Sequence, residues 1–193
     1  MIPPFNEFGV LPAKVGDTAK DHSPYFATMA ELAARYGFSQ ERREILGRLI
    51  RFRSALAEFG FRGGGNLLGG SFLDDCETRD GGSPQDLDVL TVLRGPPRTP
   101  APDLQVDFRT RFSRDAIKRQ YGLVGWAVVA EWSPPLFVTK MVAAGTQLLT
   151  NDRFGGSRGL LLVRLNLEDD AATSALLQAN RAGRVNSTPE SSA

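Results

Sequence analysis

Two aspartates one residue apart, Asp86 and Asp88, stand at the head of the apolar segment DLDVLTVL. In a β-strand, residues i and i+2 point to the same face, so we expect these two carboxylates to project together. Adjacent carboxylates repel each other and are costly to bury, and a bound divalent cation removes that cost. Mg²⁺ is commonly held by one or two carboxylates together with substrate phosphates, so the pair predicts a site for Mg²⁺ or Mn²⁺.

A glycine–serine turn, Gly69-Gly70-Ser71, ends the apolar run that precedes the aspartates. Because glycine lacks a Cβ atom, the backbone N–H groups of Gly69 and Gly70 can approach a phosphate closely, and Ser71 adds a hydroxyl donor. A phosphate-binding turn beside metal-binding carboxylates is the combination of groups that phosphoryl or nucleotidyl transfer requires. Either motif alone more often marks an ordinary turn or a polar strand end, so the prediction depends on their combination.

The order of these features over residues 66–93 resembles the nucleotidyltransferase superfamily, whose palm is like that of DNA polymerase β. Gly70 and Ser71 stand for its glycine–serine signature, and Asp86 and Asp88 for the two acidic residues on the next strand. The resemblance implies that the protein binds a nucleoside triphosphate, with ATP as the expected nucleotide, together with Mg²⁺. It also implies a mixed sheet of the nucleotidyltransferase type.

A narrower resemblance covers most of the chain, to about residue 180. The segments IPPFNEFGVLP, DLDVL, KRQYGL and GLLLVRL are similar to those of an uncharacterised bacterial family of nucleotidyltransferase-like proteins. This resemblance implies the fold and does not specify the acceptor substrate.

Active members of the superfamily usually add a third carboxylate on a later strand, which completes a two-metal site. We expect that strand at 123–132, with the acidic residue near position 124, where this chain has Val124. The remaining candidates are Asp107, in or before the preceding helix, and Glu131, at the far end of the strand. The spacing leaves open whether either of them completes the site.

Four other charged residues have two interpretations each. Asp74 and Asp75 could reach the metal, but a solvated acidic pair is the more common arrangement. Arg153 and Arg158 lie in a glycine-rich turn, where contact with a triphosphate and simple surface solubility explain them equally well.

The remaining residue types that could carry chemistry have no matching partners in the sequence. Cys76 is the single cysteine and His22 the single histidine, and neither has the neighbours that a zinc site or a nucleophilic pair needs. We interpret Cys76 as incidental. Trp126 and Trp132 are interpreted as core or core-edge residues rather than base-stacking platforms.

Helices and strands must alternate to position these residues, so the predicted class is α/β or α+β, a mixed sheet of about four strands flanked by helices. The predicted strands are 66–72, 86–93, 123–132 and 160–167. The predicted helices are 25–36, 39–59, 104–121, one after Pro134-Pro135, and a short one capped by Asp169 or Asp170. The arginines of 39–59, among them Arg42 and Arg53, are expected on its solvated face.

The bulk composition fits one domain with short appendages. We expect an extended arm at 1–24 that packs Phe5, Phe8, Val10 and Leu11, a domain at 25–181 and a disordered tail at 182–193. A net charge of +1 does not indicate nucleic-acid binding. No apolar run approaches the ~20 residues needed to cross a bilayer, and a single cysteine fits a reducing compartment, so a cytoplasmic protein is expected.

Two functions follow as expectations. The first is an enzyme that moves a nucleoside monophosphate from a nucleoside triphosphate to a hydroxyl on an acceptor that the sequence does not identify. The second, motivated by the missing third carboxylate, is a catalytically impaired nucleotide-binding or regulatory module, one half of a bacterial two-protein system with a protein partner.

Overall fold

The computed structural model describes residues 1–95, 101–151 and 156–185 of the chain. A five-stranded mixed sheet with the strand order β1-β5-β2-β3-β4 forms its centre. The strands are β1 (Tyr25–Ala27), β2 (Gly63–Gly69), β3 (Asp88–Arg94), β4 (Val124–Val129) and β5 (Leu161–Arg164). The helices are α1 (Met29–Tyr36), α2 (Gln40–Glu58), α3 (Cys76–Asp80), α4 (Pro102–Arg111), α5 (Arg114–Tyr121), α6 (Pro135–Thr150) and α7 (Leu167–Val185).

The register of the sheet brings three strand ends together. β2 runs antiparallel to β3, with Gly69 opposite Asp88, and β4 runs parallel to β3, with Val124 opposite Asp88. β5 is antiparallel to β2 and parallel to β1. The end of β2 and the starts of β3 and β4 therefore lie side by side at one edge. The predicted mixed α/β class is confirmed, with one strand more than expected.

The sheet separates two apolar layers. Along β3, Val89 and Leu93 face a large core beneath α1, α2, α5 and α7, whereas Leu90 faces a smaller one beneath α6. This alternation is the period of two that a strand imposes on its side chains. Helix α6 is thus the helix that covers the second face, and its last turn approaches the end of β2.

Two arginines of α2 are buried, contrary to the prediction of a fully solvated face. Arg42 and Arg53 both have 0% of their surface exposed. Arg42 Nε donates to Glu77 at 2.6 Å, and Arg53 Nε pairs with Asp170 at 2.8 Å. A guanidinium is tolerated in a core only when it is paired and hydrogen-bonded. The partners of these two arginines lie far away in the sequence, so helical periodicity could not predict their burial.

Helix caps divide two predicted segments and start a further helix between two predicted strands. The segment 25–36 is β1 followed by α1, because the Thr28 side chain accepts a hydrogen bond from the Glu31 N–H and starts the helix there. The segment 104–121 is two helices, α4 and α5, because Ser113 caps the second. Between the predicted strands 66–72 and 86–93, Asp75 caps the short helix α3.

The C-terminal helix begins earlier than predicted. Helix α7 begins at Leu167, before the expected caps Asp169 and Asp170. Asp169 instead accepts a hydrogen bond from the Met29 N–H at 2.6 Å, at the start of α1. Helix α7 extends to Val185, and the rest of the predicted tail lies outside the described residues.

The N-terminal arm packs as expected at Val10 and Leu11, which are buried, while Phe8 is 66% exposed. No helix among the described residues is long and apolar enough to span a membrane.

Candidate functional site

A cleft of about 610 Å³ opens where the end of β2, the starts of β3 and β4 and the end of α6 meet. Gly70, Ser71, Asp86 and Asp88 all line it, so the structure brings these predicted residues together. Gly69 differs, because it is buried beneath the cleft. A Cβ atom at Gly69 would come within 2.8 Å of the Leu149 Cβ, so this glycine allows α6 to approach the strand.

Gly70 holds the turn against the second carboxylate. Its backbone has a φ of +79° and a ψ of −175°, a combination that only glycine adopts readily. A Cβ atom at this position would collide with the Oδ2 atom of Asp88. The absence of a side chain at Gly70 therefore allows the Asp88 carboxylate to lie directly against the turn.

Asp86 lies just outside the strand on which it was predicted. β3 begins at Asp88, where its pairing with Gly69 starts, and Leu87 between the two aspartates is fully buried. The prediction that both aspartates belong to the strand is therefore wrong for Asp86, which precedes β3 by two residues. Both still line the cleft, and Asp86 Oδ2 accepts a hydrogen bond from Lys118 Nζ at 2.7 Å.

The two carboxylates are electrostatically coupled. Burial, and then the negative charge of Asp86, raise the pKa of Asp88 above its ordinary value. The positive charges of Arg158, Lys118 and Arg114 oppose this rise without cancelling it. The ionised form of Asp88 thus lacks full compensation by the side chains around it.

Arg158 is a cleft residue that sequence reasoning could not distinguish from a surface charge. It is only 7% exposed, and its Nη1 lies 3.1 Å from Asp74 Oδ2. Asp74, expected to be solvated, has no exposed surface, and Arg79 approaches its Oδ2 at 3.7 Å. The arginine needs this carboxylate from a loop far along the chain, which the local sequence does not reveal. Arg153 lies outside the described residues.

Cys76 also lines the cleft, in α3. Burial raises the pKa of its thiol, and the nearby Glu77 carboxylate adds to the effect. A thiol that resists ionisation is a poor nucleophile, which agrees with its interpretation as incidental.

The two candidates for a third carboxylate lie elsewhere. Glu131 accepts a hydrogen bond from the Gly95 N–H at 2.6 Å, beyond the far end of β3. That end is about 20 Å from Asp88 at the rise of a strand. Asp107 pairs with Arg111 on the surface of α4 at 2.7 Å. Opposite Asp88, the neighbouring strand carries Val124.

Asp86 and Asp88 form a pair of carboxylates and not a three-ligand metal centre. Over the ranges that the structure describes, no group of three or more histidine, cysteine, aspartate or glutamate side chains could hold a metal ion. Asp86 and Asp88 offer oxygen ligands of the kind that Mg²⁺ and Mn²⁺ prefer. The raised pKa of Asp88 shows an incompletely balanced charge there. Any divalent cation held by these two carboxylates would need further ligands from outside the pair.

Comparisons with known proteins add a family but no activity. No curated protein and no solved structure matches the chain significantly. Residues 3–164 match the profile of DUF6932, described as a family of unknown function. The matched segment contains the glycine–serine turn, both aspartates and Arg158, and it spans most of the 193 residues. The chain therefore belongs to the DUF6932 family.

Proposed function

We propose that the cleft binds a nucleoside triphosphate together with one Mg²⁺ ion, in the manner of a nucleotidyltransferase-like protein, with ATP as the expected nucleotide. The observation that carries this proposal is the contact of the Gly70 turn with Asp88. It sets a turn suited to phosphate directly against a carboxylate suited to a metal, as a bound metal–phosphate pair requires.

The charges around the cleft support a polyanionic ligand. Arg79 and Arg158 line it, and Lys118 reaches Asp86 at its border. Arg158 is held by the buried Asp74, so it is fixed in place before a ligand arrives. Fixed cations bind phosphate with a smaller loss of side-chain entropy than mobile surface lysines do.

Asp86 and Asp88 would hold the cation, and Gly70 with Ser71 would contact the β- and γ-phosphates. When bound, Mg²⁺ neutralises phosphate charge and polarises the phosphoryl oxygens. The protein itself contributes orientation through Gly70, Ser71 and Arg158. A bound cation would stabilise the ionised form of Asp88, which burial and Asp86 disfavour.

Transfer of a nucleoside monophosphate is a second candidate, favoured by the contact between the Gly70 turn and Asp88, which would place a cation beside the phosphates, with the proton of the acceptor hydroxyl passing to water. The acceptor hydroxyl oxygen would form a bond to the α-phosphorus, the bond from the α-phosphorus to the oxygen that bridges the α- and β-phosphates would break, and pyrophosphate would leave. Val124 opposite Asp88 instead favours binding without efficient turnover, as expected for a regulatory module.

Calorimetry with ATP and Mg²⁺ tests the binding. Asp88→Asn preserves the shape of the side chain and should weaken Mg-dependent ATP binding by about 10–100-fold, because one contact with a charged group contributes a binding free energy of this size. Asp80→Asn is the matched control, because Asp80 lines the same cleft but pairs with Arg79 on the exposed surface. Absence of ATP binding in the wild type, or equal binding by Asp88→Asn, would refute the proposal.

Incubation with α-labelled nucleotides separates the two candidates. Label that moves to an acceptor, with release of pyrophosphate and loss of the reaction in Asp88→Asn, supports transfer. Binding without any transfer supports the regulatory module.

A further inference from the structure

A second cavity, of about 430 Å³, lies along the outer strand β4, between α4 and α5 on one side and the first turns of α6 on the other. Its volume is in the range of small-molecule sites. Most of its wall is apolar and aromatic, formed by Phe108, Phe112, Trp126, Trp132, Phe137 and Met141. None of the residues predicted for nucleotide binding lines it.

The wall contains two hydrogen-bond donors without acceptors. The Nε1 atoms of Trp126 and Trp132 are buried and have no hydrogen-bond partner within the part of the chain that the structure describes. An indole N–H can only donate, and a buried donor without an acceptor is unfavourable. These nitrogen atoms expose almost no surface, so they do not open into the cavity, and its polar contacts must come from the charged side chains of the wall.

The charges that line the cavity have one sign. Arg109 from α4 and Arg114 from α5 contribute to its wall, and its described wall contains no aspartate or glutamate. Neither arginine forms an ion pair with another described residue, in contrast to Arg111, which pairs with Asp107. An apolar interior bordered by unpaired guanidinium groups complements a molecule with an apolar body and an anionic group.

We propose that this cavity binds a small aromatic or aliphatic anion, such as a carboxylate. Its apolar body packs against the aromatic wall, and its charged group accepts hydrogen bonds from Arg109 and Arg114. This proposal requires neither aspartate of the cleft, and Arg114, whose charge also acts on Asp88, is the one electrostatic link between the two sites that it uses.

The chain supplies its own reporter for the test. Its only two tryptophans, Trp126 and Trp132, both line the cavity, so intrinsic fluorescence reports directly on occupancy. The probe is 3-phenylpropanoate, which does not absorb at the excitation wavelength of tryptophan near 295 nm, and its neutral counterpart is 3-phenylpropan-1-ol. We expect a saturable fluorescence change with the carboxylate and an affinity at least about tenfold weaker for the alcohol, since the alcohol lacks the charge-assisted contact.

Variants locate the charged contact. The double variant Arg109→Gln/Arg114→Gln should bind the carboxylate about tenfold more weakly than wild type does and should bind the alcohol with unchanged affinity. Arg119→Gln is the matched control, because Arg119 is exposed on the same helix, α5, and does not line the cavity. Far-ultraviolet circular dichroism of each variant checks that it is folded.

Three results would overturn the proposal. The first is no saturable change with millimolar carboxylate in fluorescence or calorimetry. The second is equal affinity for the carboxylate and the alcohol, or equal weakening by Arg119→Gln. The third is a fluorescence change with protein concentration alone, which would assign the cavity to a second copy of the chain.

Discussion

Substitution of Gly70 by alanine tests the contact on which the candidate nucleotide site depends. The backbone strain of alanine at this φ and ψ costs about 1–3 kcal/mol. The new Cβ would also collide with Asp88 Oδ2 and lie 3.0 Å from its Cγ, and overpacking of this kind costs typically about 1–3 kcal/mol more. Gly70→Ala should therefore lower the free energy of unfolding by about 2–6 kcal/mol in total.

Two further variants separate strain from collision. Gly81 also has a positive φ, +68°, but nothing lies within 4 Å of its Cβ position, so Gly81→Ala should cost only about 1–2 kcal/mol. In an Asp88→Ala background, the collision of Gly70→Ala is removed, and its cost should fall by about 1–3 kcal/mol. Urea denaturation followed by circular dichroism measures the free energies of unfolding of wild type, the three single variants and the double variant. A coupling energy below about 0.5 kcal/mol between positions 70 and 88 would refute the proposed contact.

The remaining predictions concern charge. Because the folded state raises the pKa of Asp88, it binds more protons than the unfolded state between the ordinary value, about 3.9, and the raised value, so stability falls as pH rises through that interval. Asp88→Asn should therefore have a higher free energy of unfolding than wild type at pH 7 without ligand. The difference should disappear at pH 3, where Asp88 is protonated in both states. Equal stability of the two proteins at pH 7 would contradict the raised pKa. Arg53→Met leaves the buried Asp170 carboxylate unpaired and should cost about 3–5 kcal/mol in urea denaturation. Lys118→Met breaks the partly exposed pair with Asp86 and should cost less than about 1 kcal/mol, and a similar loss in both variants would contradict this distinction.

Local patterns predicted much of the fold. Helix α2 follows from apolar residues at helical spacing after the cap Ser39, and α6 from the same spacing after Pro134-Pro135. β3 and β4 follow from their apolar runs. The strand β1 could not be predicted, because three residues are too short for a period and its pairing partner, β5, lies far along the chain. Contacts between distant segments are not visible in local periodicity.

The candidate site shows the same division. The turn at Gly70-Ser71 and the two aspartates could be found because the signal lies within one short stretch. Arg158 could not, because its burial depends on Asp74, which follows β2, whereas Arg158 precedes β5, and only the pairing of these two strands brings them together. The predicted solvation of Asp74 is wrong for the same reason, since the charge is balanced by an arginine more than eighty positions away.

The buried pair of Arg53 and Asp170 bears on where the folding unit ends. Arg53 belongs to the segment shared with the family, whereas Asp170 lies beyond residue 164, where that match stops. Asp169, its neighbour on α7, also accepts the first N–H groups of α1. The charge balance of the shared core is thus completed from outside the shared segment. The segment that sequence similarity defines therefore ends before the segment that is needed to neutralise the buried charges. In this molecule the second segment includes α7.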